Sequence, residues 1–174
     1  IEWKTEEDTN KINFNPFIEK LQNDIINVFA NRYKLVIDTS HILTSKAHAK
    51  NKVSFHVVIN CIINGVCYAC KTNRKRENGS AWDLYVALVD IDPDYKNKMD
   101  ESVYSLDREF RALYSTKYGE IRHLVPLKNT DIKICDNPLD YFVTHFDKGA
   151  QIQLINIPEY VNPNAKALYK VGKI

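Results

Sequence analysis

The sequence predicts an α+β fold with a mostly antiparallel sheet and flanking helices. Segments with strand and helix patterns alternate irregularly along the 174 residues, which favours this class over a regular parallel sheet. Two runs rich in β-branched residues are separated by Asn64-Gly65, a dipeptide typical of a tight hairpin. Apolar residues after Pro16 recur at helical spacing, which indicates a helix packed against the sheet.

The first part of the chain is predicted to form a strand, a helix, a second strand and a loop. Residues 1–3 have the character of a short strand. Asn15 and Pro16 are suited to the cap and the first turn of a helix. Residues 33–38 have a strand composition, and the polar, basic residues 39–51 are predicted to form a long loop.

The strongest strand signal covers residues 53–63, because β-branched residues are frequent there and the apolar positions are nearly continuous. After a basic connection, Ser80 is suited to cap a second helix, which Asp92-Pro93 ends. The remaining predictions are extended segments at 102–104 and 110–115, a strand at 121–127, a helix at 137–146 and a strand at 152–157.

The chain is long enough for one domain with a hydrophobic core. The domain is assigned to residues 1–147, and residues 148–174 to a C-terminal strand and a linker-like tail. Because the chain opens inside a strand and without Met, we expect it to be N-terminally incomplete. No apolar run reaches about 18 residues and no signal-peptide pattern is present. We therefore expect an intracellular protein without a membrane partner, in a compartment that the sequence leaves open.

Charge is distributed unevenly, although the net charge is only +2. Residues 39–76 contain no Asp or Glu. A basic stretch of this length suits a phosphate-rich partner such as a nucleic acid, and it equally suits a solvated surface with counter-charges from elsewhere in the fold. The candidate nucleic-acid contacts are Lys46, Lys50, Lys71, Arg74, Lys75 and Arg76.

The cysteines carry a weak signal for zinc. Cys67 and Cys70 form a single C-x-x-C, with Cys61 nearby. Strand alternation would put Cys67 and Cys70 on opposite faces. This favours reduced, partly buried thiols over a metal site.

Polar residues alternate along the strongest strand. Lys52, Ser54 and His56 share one face of it, whereas Val53 and Phe55 point to the other, into the core. A His held by hydrogen bonds in the core would explain His56 alone. Three groups suited to phosphate contact, spaced by two on an otherwise apolar strand, are hard to explain by packing.

An acid followed by cations forms a second cluster. Asp100 precedes Arg108 and Arg111, and Lys117 follows in a Ser-Thr-Lys triplet. A carboxylate is a ligand for Mg²⁺ or Mn²⁺, and guanidinium groups bind phosphate oxygens in bidentate fashion. Because such cations also occur as ordinary surface pairs, this cluster gains its weight from the Lys-x-Ser-x-His strand.

Together these motifs resemble the archaeo-eukaryotic primase superfamily on its primase-polymerase branch, over about residues 1–145. That branch includes eukaryotic primase-polymerases and the primase domains of primase-helicases from large DNA viruses. Its second motif, Ser-x-His, is Ser54-Phe55-His56 here, and its third, Asp-x-x-Val-Tyr with two later arginines, begins at Asp100. The first motif is a pair of acids on a strand, and only its second acid, Glu2, lies in this chain.

The resemblance implies the RRM-like half of a primase-polymerase catalytic core. The implied activity is template-directed nucleotidyl transfer from an NTP or dNTP, which starts or extends a primer with two Mg²⁺ or Mn²⁺ ions. The implied partners are a single-stranded DNA template and primer, nucleoside triphosphates, and a helicase domain in the same parent chain. Glu2 and Asp100 are the implied metal ligands and, with His56, the catalytic set. The implied triphosphate ligands are Lys52, Ser54, His56, Arg108, Arg111 and Lys117.

Two other functions stay open. One is a non-catalytic nucleic-acid-binding domain with a degenerate primase fold, which the missing first acid favours for this chain. The other is a nuclease or another metal-dependent phosphoryl-transfer enzyme, which has no need for Lys-x-Ser-x-His beside two arginines. Tyr68, Trp82 and Tyr104 are candidates for stacking on bases, although Trp82 is assigned to a helix core.

Overall fold

In the described part of the chain, the larger of two sheets is antiparallel throughout. A computed structural model describes residues 1–105, 110–127, 137–142 and 149–158 of the chain. Hydrogen bonding runs in the order β1-β3-β2-β6, so β3 and β2 are the central strands. The four strands are β1 (Glu2–Lys4), β2 (Ile42–Lys46), β3 (Lys52–Ile59) and β6 (Val125–Pro126).

The smaller sheet contains β4 (Ile62–Ile63), β5 (Val66–Ala69) and β7 (Gln151–Leu154), in the order β4-β5-β7. The β4–β5 pair is antiparallel and the β5–β7 pair is parallel. β7 lies beyond residue 147, where the sequence predicts the end of the main domain, and it pairs with β5 along its whole length. The fold is α+β with mostly antiparallel sheets.

Helices cover the sheet and supply much of the core. They are α1 (Asn15–Val28), α2 (Trp82–Ile91) and the single turn α3 (Tyr95–Lys98). Leu21 and Ile25 of α1 are buried in the same cluster as Leu88 of α2, as their helical spacing predicts. In the part of the chain that the structure describes, no helix is long and apolar enough to cross a membrane.

The start of α1 differs by one residue from the prediction. Pro16 lies in the first turn as expected, but the cap position is Phe14, whose side chain makes no capping hydrogen bond. Asn15 is already helical, and its backbone N–H donates to Asn13 Oδ1 at 3.1 Å. The cap prediction for Asn15 is therefore wrong, although Asn13 still supplies an oxygen to the helix start.

Residues 33–38 do not form the predicted strand. The helix continues instead as a π-helical turn, Phe29–Tyr33, and ends at Lys34 with a left-handed φ of 58°. The burial of Phe29 and Tyr33 in the core makes this continuation favourable. Val36, at 81% exposure, faces solvent, so the strand composition of this segment reflects no sheet pairing.

Residues 39–51 are not the predicted loop, because they contain the central strand β2. Its register pairs Ser45 with His56 of β3 and with Pro126 of β6. Thr44 and Ser45 are buried there although they are polar. The ladders on both sides satisfy their backbone groups, which composition alone does not reveal.

Other predictions have mixed outcomes. The hairpin at Asn64-Gly65 is confirmed, with positive φ values of 50° and 80° that suit a type I′ turn. Residues 102–104 are not extended, because a 3-10 turn covers Glu101–Val103. Where the sequence predicts the start of a helix at 137–146, the structure has a 3-10 turn, Pro138–Tyr141. Residues 143–146 of that prediction lie outside the described ranges.

Candidate functional site

A cavity of about 760 Å³ brings distant parts of the sequence together. It opens among β1, β3, the segment around residues 99–104 and the loop at 110–118. Its volume is within the range of small-molecule sites in proteins. Six of the residues that the sequence predicts for the site line it: Glu2, Ser54, His56, Asp100, Arg111 and Lys117.

Two carboxylates face this cavity from different elements. Glu2 lies on β1 opposite Ser54 of β3. Asp100 precedes the 3-10 turn at residues 101–103, and its Oδ1 accepts the N–H of Ser102 at 2.9 Å. Ile1 lines the cavity together with both acids. The two acids that the sequence predicts as metal ligands thus line the same cavity.

His56 is held neutral by its surroundings. Burial lowers its pKa to about 4, and the positive charges of Arg111 and Lys117 add to this effect. Its ring packs against Phe110, with ring centroids 4.7 Å apart. Among the described residues, the buried Nδ1 of His56 has no hydrogen-bond partner. One polar atom of this imidazole is thus left for a ligand or water.

Arg111 has two buried polar atoms without a partner in the described part of the chain, one more than His56. Its Nε and Nη1 are buried, and neither has a hydrogen-bond partner in the described part of the chain. Buried donors without acceptors are costly unless an anion or another hydrogen-bonding group completes them. Arg111 also lines the cavity, as does Lys117. The cavity is therefore suited to an anionic ligand.

Lys52 and Ser54 have local partners. Lys52 does not line the cavity and forms an ion pair with Glu2 across the β1–β3 pair. Ser54 is buried, and its backbone N–H donates to His48 Nδ1 at 2.9 Å. The ring of His48 lies against Phe55, with centroids 4.6 Å apart. A nitrogen of the His48 ring thus accepts the N–H of Ser54, as a backbone carbonyl would in a regular ladder. The sequence reasoning missed this supporting role of His48.

Glu101 is a second residue that sequence reasoning missed. Its carboxylate accepts the hydroxyl of Tyr85 at 2.6 Å and pairs with Lys75 at 2.9 Å. Asn73 donates to the carbonyl of Val103 at 2.8 Å. These contacts tie the turn after Asp100 to α2 and to the basic connection. Only the position of Glu101 beside Asp100 could have drawn attention to it.

The candidate nucleic-acid contacts in the acid-free stretch at 39–76 do not line the cavity. Arg74 pairs with Glu77 at 3.3 Å and Lys75 with Glu101. Part of this stretch is thus neutralised by acids from outside it. Lys50, Lys71 and Arg76 are exposed, and Lys46 is partly buried at the end of β2. Arg108 lies outside the described residues.

Within the described residues, neither the thiols nor the acids are arranged as a metal site. Cys61, Cys67 and Cys70 are free, and burial raises the pKa of each thiol. In the described ranges, no group of three or more His, Cys, Asp or Glu side chains is arranged to hold a metal ion.

Comparison with known proteins gives one informative similarity. No protein-family model matches the chain. Over 168 residues the chain is 30% identical to a protein of Acanthamoeba polyphaga mimivirus that is named an uncharacterized putative helicase, R8. The match covers 85% of this chain and 16% of the viral protein, so the chain spans about a sixth of that relative.

Proposed function

We propose that the cavity binds the triphosphate of a nucleotide and that the protein is a nucleotidyltransferase of the primase-polymerase type. The observation that carries this proposal is Arg111, whose buried Nε and Nη1 have no partner among the described residues. Each of these two N–H groups is a charge-assisted donor that a phosphate oxygen could accept. Such binding would remove the cost of these two buried, unsatisfied donors.

The carboxylates fit the divalent ion that this activity requires. Mg²⁺ and Mn²⁺ prefer carboxylate oxygens, and Mg²⁺ at phosphate sites uses one or two carboxylates with water and substrate phosphates. Glu2 and Asp100 supply such a pair beside the cations of the cavity. When bound, the ion would neutralise triphosphate charge and favour attack by a primer hydroxyl. Lys52 balances the charge of Glu2 through their ion pair.

The other cavity residues have distinct proposed roles. Lys117 adds a positive charge beside Arg111, and Arg108 belongs to the same proposed triphosphate set. His56, neutral at pH 7, gives or accepts one hydrogen bond at Nδ1 without acting as a general base. Ser54 keeps its place on β3 through His48. Positioning and charge stabilisation are the main requirements of phosphoryl chemistry, and this set supplies both.

The proposed partners follow from the surface and from the viral similarity. The exposed Lys50, Lys71 and Arg76 are candidates for non-specific, salt-dependent contacts with a single-stranded DNA template and primer. Lys46 and the paired Arg74 and Lys75 are weaker candidates. The name of the mimivirus relative supports a nucleic-acid role. A helicase domain in the same parent chain is part of the proposal.

The test measures dTTP affinity by calorimetry with and without Mn²⁺, together with primer extension on single-stranded DNA. Asp100→Asn should abolish the increase in affinity that Mn²⁺ gives and should abolish extension, because an amide is a poor ligand for the ion. Asp90→Asn, on the exposed end of α2, is the matched control and should change neither. Undiminished extension by Asp100→Asn would overturn the assignment of this acid.

One observation favours the non-catalytic alternative. Glu2 is already paired with Lys52, and only two acids face the cavity from the described residues. A degenerate site would bind nucleotide or single strand without turnover. Extension activity in the wild-type protein excludes this alternative, whereas strand binding with no extension under any divalent ion supports it.

A further inference from the structure

The aromatic residues that sequence reasoning selects for base stacking are not available for it. Trp82 is buried, and Tyr104 packs beside it in the same cluster. Tyr68 packs against the main core. The most exposed aromatic side chain in the described part of the chain is Tyr118, whose exposure of 107% is that of a free side chain. It lies at the cavity, beside Lys117.

Tyr118 stands at the corner of a tight turn. The N–H of Glu120 donates to the carbonyl of Lys117 at 3.0 Å, which closes a turn over Tyr118 and Gly119. Gly119 has a φ of 76°, as a type II turn requires at its third residue. This geometry directs the side chain of Tyr118 away from the body of the loop. Ile121, directly after the turn, is 92% exposed.

The loop that carries this turn is anchored on both sides. Tyr114 donates to the carbonyl of Leu124 at 2.7 Å, and Leu124 donates to Ser115 at 3.0 Å. Arg122 binds the carbonyl of Ala47, at the end of β2, at 2.5 Å. The exposed ring is therefore held on a fixed support, which lowers the entropy cost of binding a partner.

Strain at the base of the loop is a second, independent sign of function. Tyr114 has a φ of 64°, a left-handed conformation that a bulky side chain rarely adopts. Its side chain is 56% exposed, so packing contacts offset little of the energy cost of this backbone conformation. Strained backbone that surrounding contacts enforce is concentrated at binding sites. Tyr114 and Tyr118 thus present two rings on one cation-bearing loop.

We propose that this loop is a stacking platform for the bases of a single nucleic-acid strand, with Tyr118 as its main contact. Stacking on an exposed ring beside cations is the usual mode of sequence-tolerant single-strand binding. Lys117 supplies the neighbouring charge, and Ile121 extends the apolar surface. The inference rests on the proposed function for the identity of the partner, since a strand must reach the cavity to act as template or primer.

The test compares Tyr118→Ala, Tyr118→Phe and the wild-type protein by fluorescence anisotropy with labelled oligothymidylate. An abasic strand of the same length is the second probe. Loss of one stacking contact should weaken binding to oligothymidylate about 5- to 150-fold in Tyr118→Ala. Tyr118→Phe should bind as the wild type does, because the ring remains. Binding to the abasic strand should be the same in all three proteins.

Salt dependence separates stacking from charge. Tyr118→Ala should leave the slope of log K against log salt unchanged, whereas Lys50→Gln should reduce it if Lys50 contacts phosphate. Val36→Ala removes another exposed apolar side chain that does not line the cavity, and it should have no effect. Unchanged affinity for oligothymidylate in Tyr118→Ala would overturn the inference.

The same variants distinguish this inference from the proposed function. If Tyr118→Ala weakens binding of dTTP alone and leaves strand binding intact, the ring stacks on the nucleotide and the assignment to a strand is wrong. If the wild-type protein binds strands through Tyr118 but binds no triphosphate, the proposed function fails and the platform stands.

Discussion

Replacing Glu101 with Gln should weaken the link between the turn after Asp100 and the rest of the fold. The carboxylate accepts the hydroxyl of Tyr85 at 2.6 Å and pairs with Lys75 at 2.9 Å, with 34% of the Glu101 side chain exposed. A hydrogen bond to a charged group contributes about 1.5–3 kcal/mol and a neutral one about 1 kcal/mol, so Gln loses about 1 kcal/mol at Tyr85. The exposed pair with Lys75 adds about 0.5 kcal/mol.

The expected loss is therefore about 1.5 kcal/mol in the free energy of unfolding at pH 7, measured by urea denaturation. Tyr85→Phe and the double variant complete a cycle whose coupling energy should be about 1 kcal/mol. Glu77→Gln, which removes only an exposed pair with Arg74, should cost less than about 0.5 kcal/mol. A coupling energy of zero between Glu101 and Tyr85 would refute the reasoning.

The pH dependence of this difference has a definite sign. The hydroxyl of Tyr85 and the ammonium of Lys75 hold the pKa of Glu101 below its ordinary value of 4.5. The contribution of the carboxylate is therefore present above that ordinary pKa and is lost as the pH falls through the lowered one. The stabilities of wild type and Glu101→Gln should converge in that acidic range.

Two further predictions concern the buried polar groups. Arg32 donates to both carboxylate oxygens of Asp83, from Nε and Nη2, at 2.6 Å each. Asp83→Ala leaves this half-buried arginine without its carboxylate, so it should destabilise the fold by about 3–5 kcal/mol in urea denaturation. A loss below about 1 kcal/mol would contradict this. Stability should rise with pH between about 4 and 6.5, because burial lowers the pKa of both His48 and His56 to about 4 and the unfolded chain binds more protons in that window. Proton NMR titration should give both low pKa values, and His48→Gln should flatten the stability curve; an ordinary pKa near 6.5 for either ring would contradict its burial.

Local signals predict the parts of the fold in which one segment determines its own structure. The periodic apolar face of α1 and the Asn64-Gly65 turn are of this kind. β2 is different, because Thr44 and Ser45 become strand residues only when β3 and β6 lie on both sides. The same holds for residues 33–38, where β-branched composition competes with the burial of Tyr33 in a continued helix.

In the candidate site, too, local patterns predict some features, whereas others depend on contacts between distant segments. Strand alternation and the primase-like motifs predict that Ser54, His56 and Asp100 belong together, and the cavity brings them together. They do not predict that Lys52 pairs with Glu2 or that His48 supports Ser54, since both contacts depend on the register of the strands. The exposure of Tyr118 depends on the anchoring of its loop, which sequence spacing alone does not specify.

The most direct measurement is the affinity of the protein for dTTP, titrated by calorimetry in Mn²⁺ with wild type, Arg111→Gln and Arg76→Gln. Charge-assisted contacts with a buried guanidinium contribute about 1.5–3 kcal/mol, so Arg111→Gln should bind about 10- to 150-fold more weakly. Arg76→Gln, an exposed arginine outside the cavity, should bind as the wild type does. Equal affinities for the wild type and Arg111→Gln would contradict the assignment of this cavity to a triphosphate.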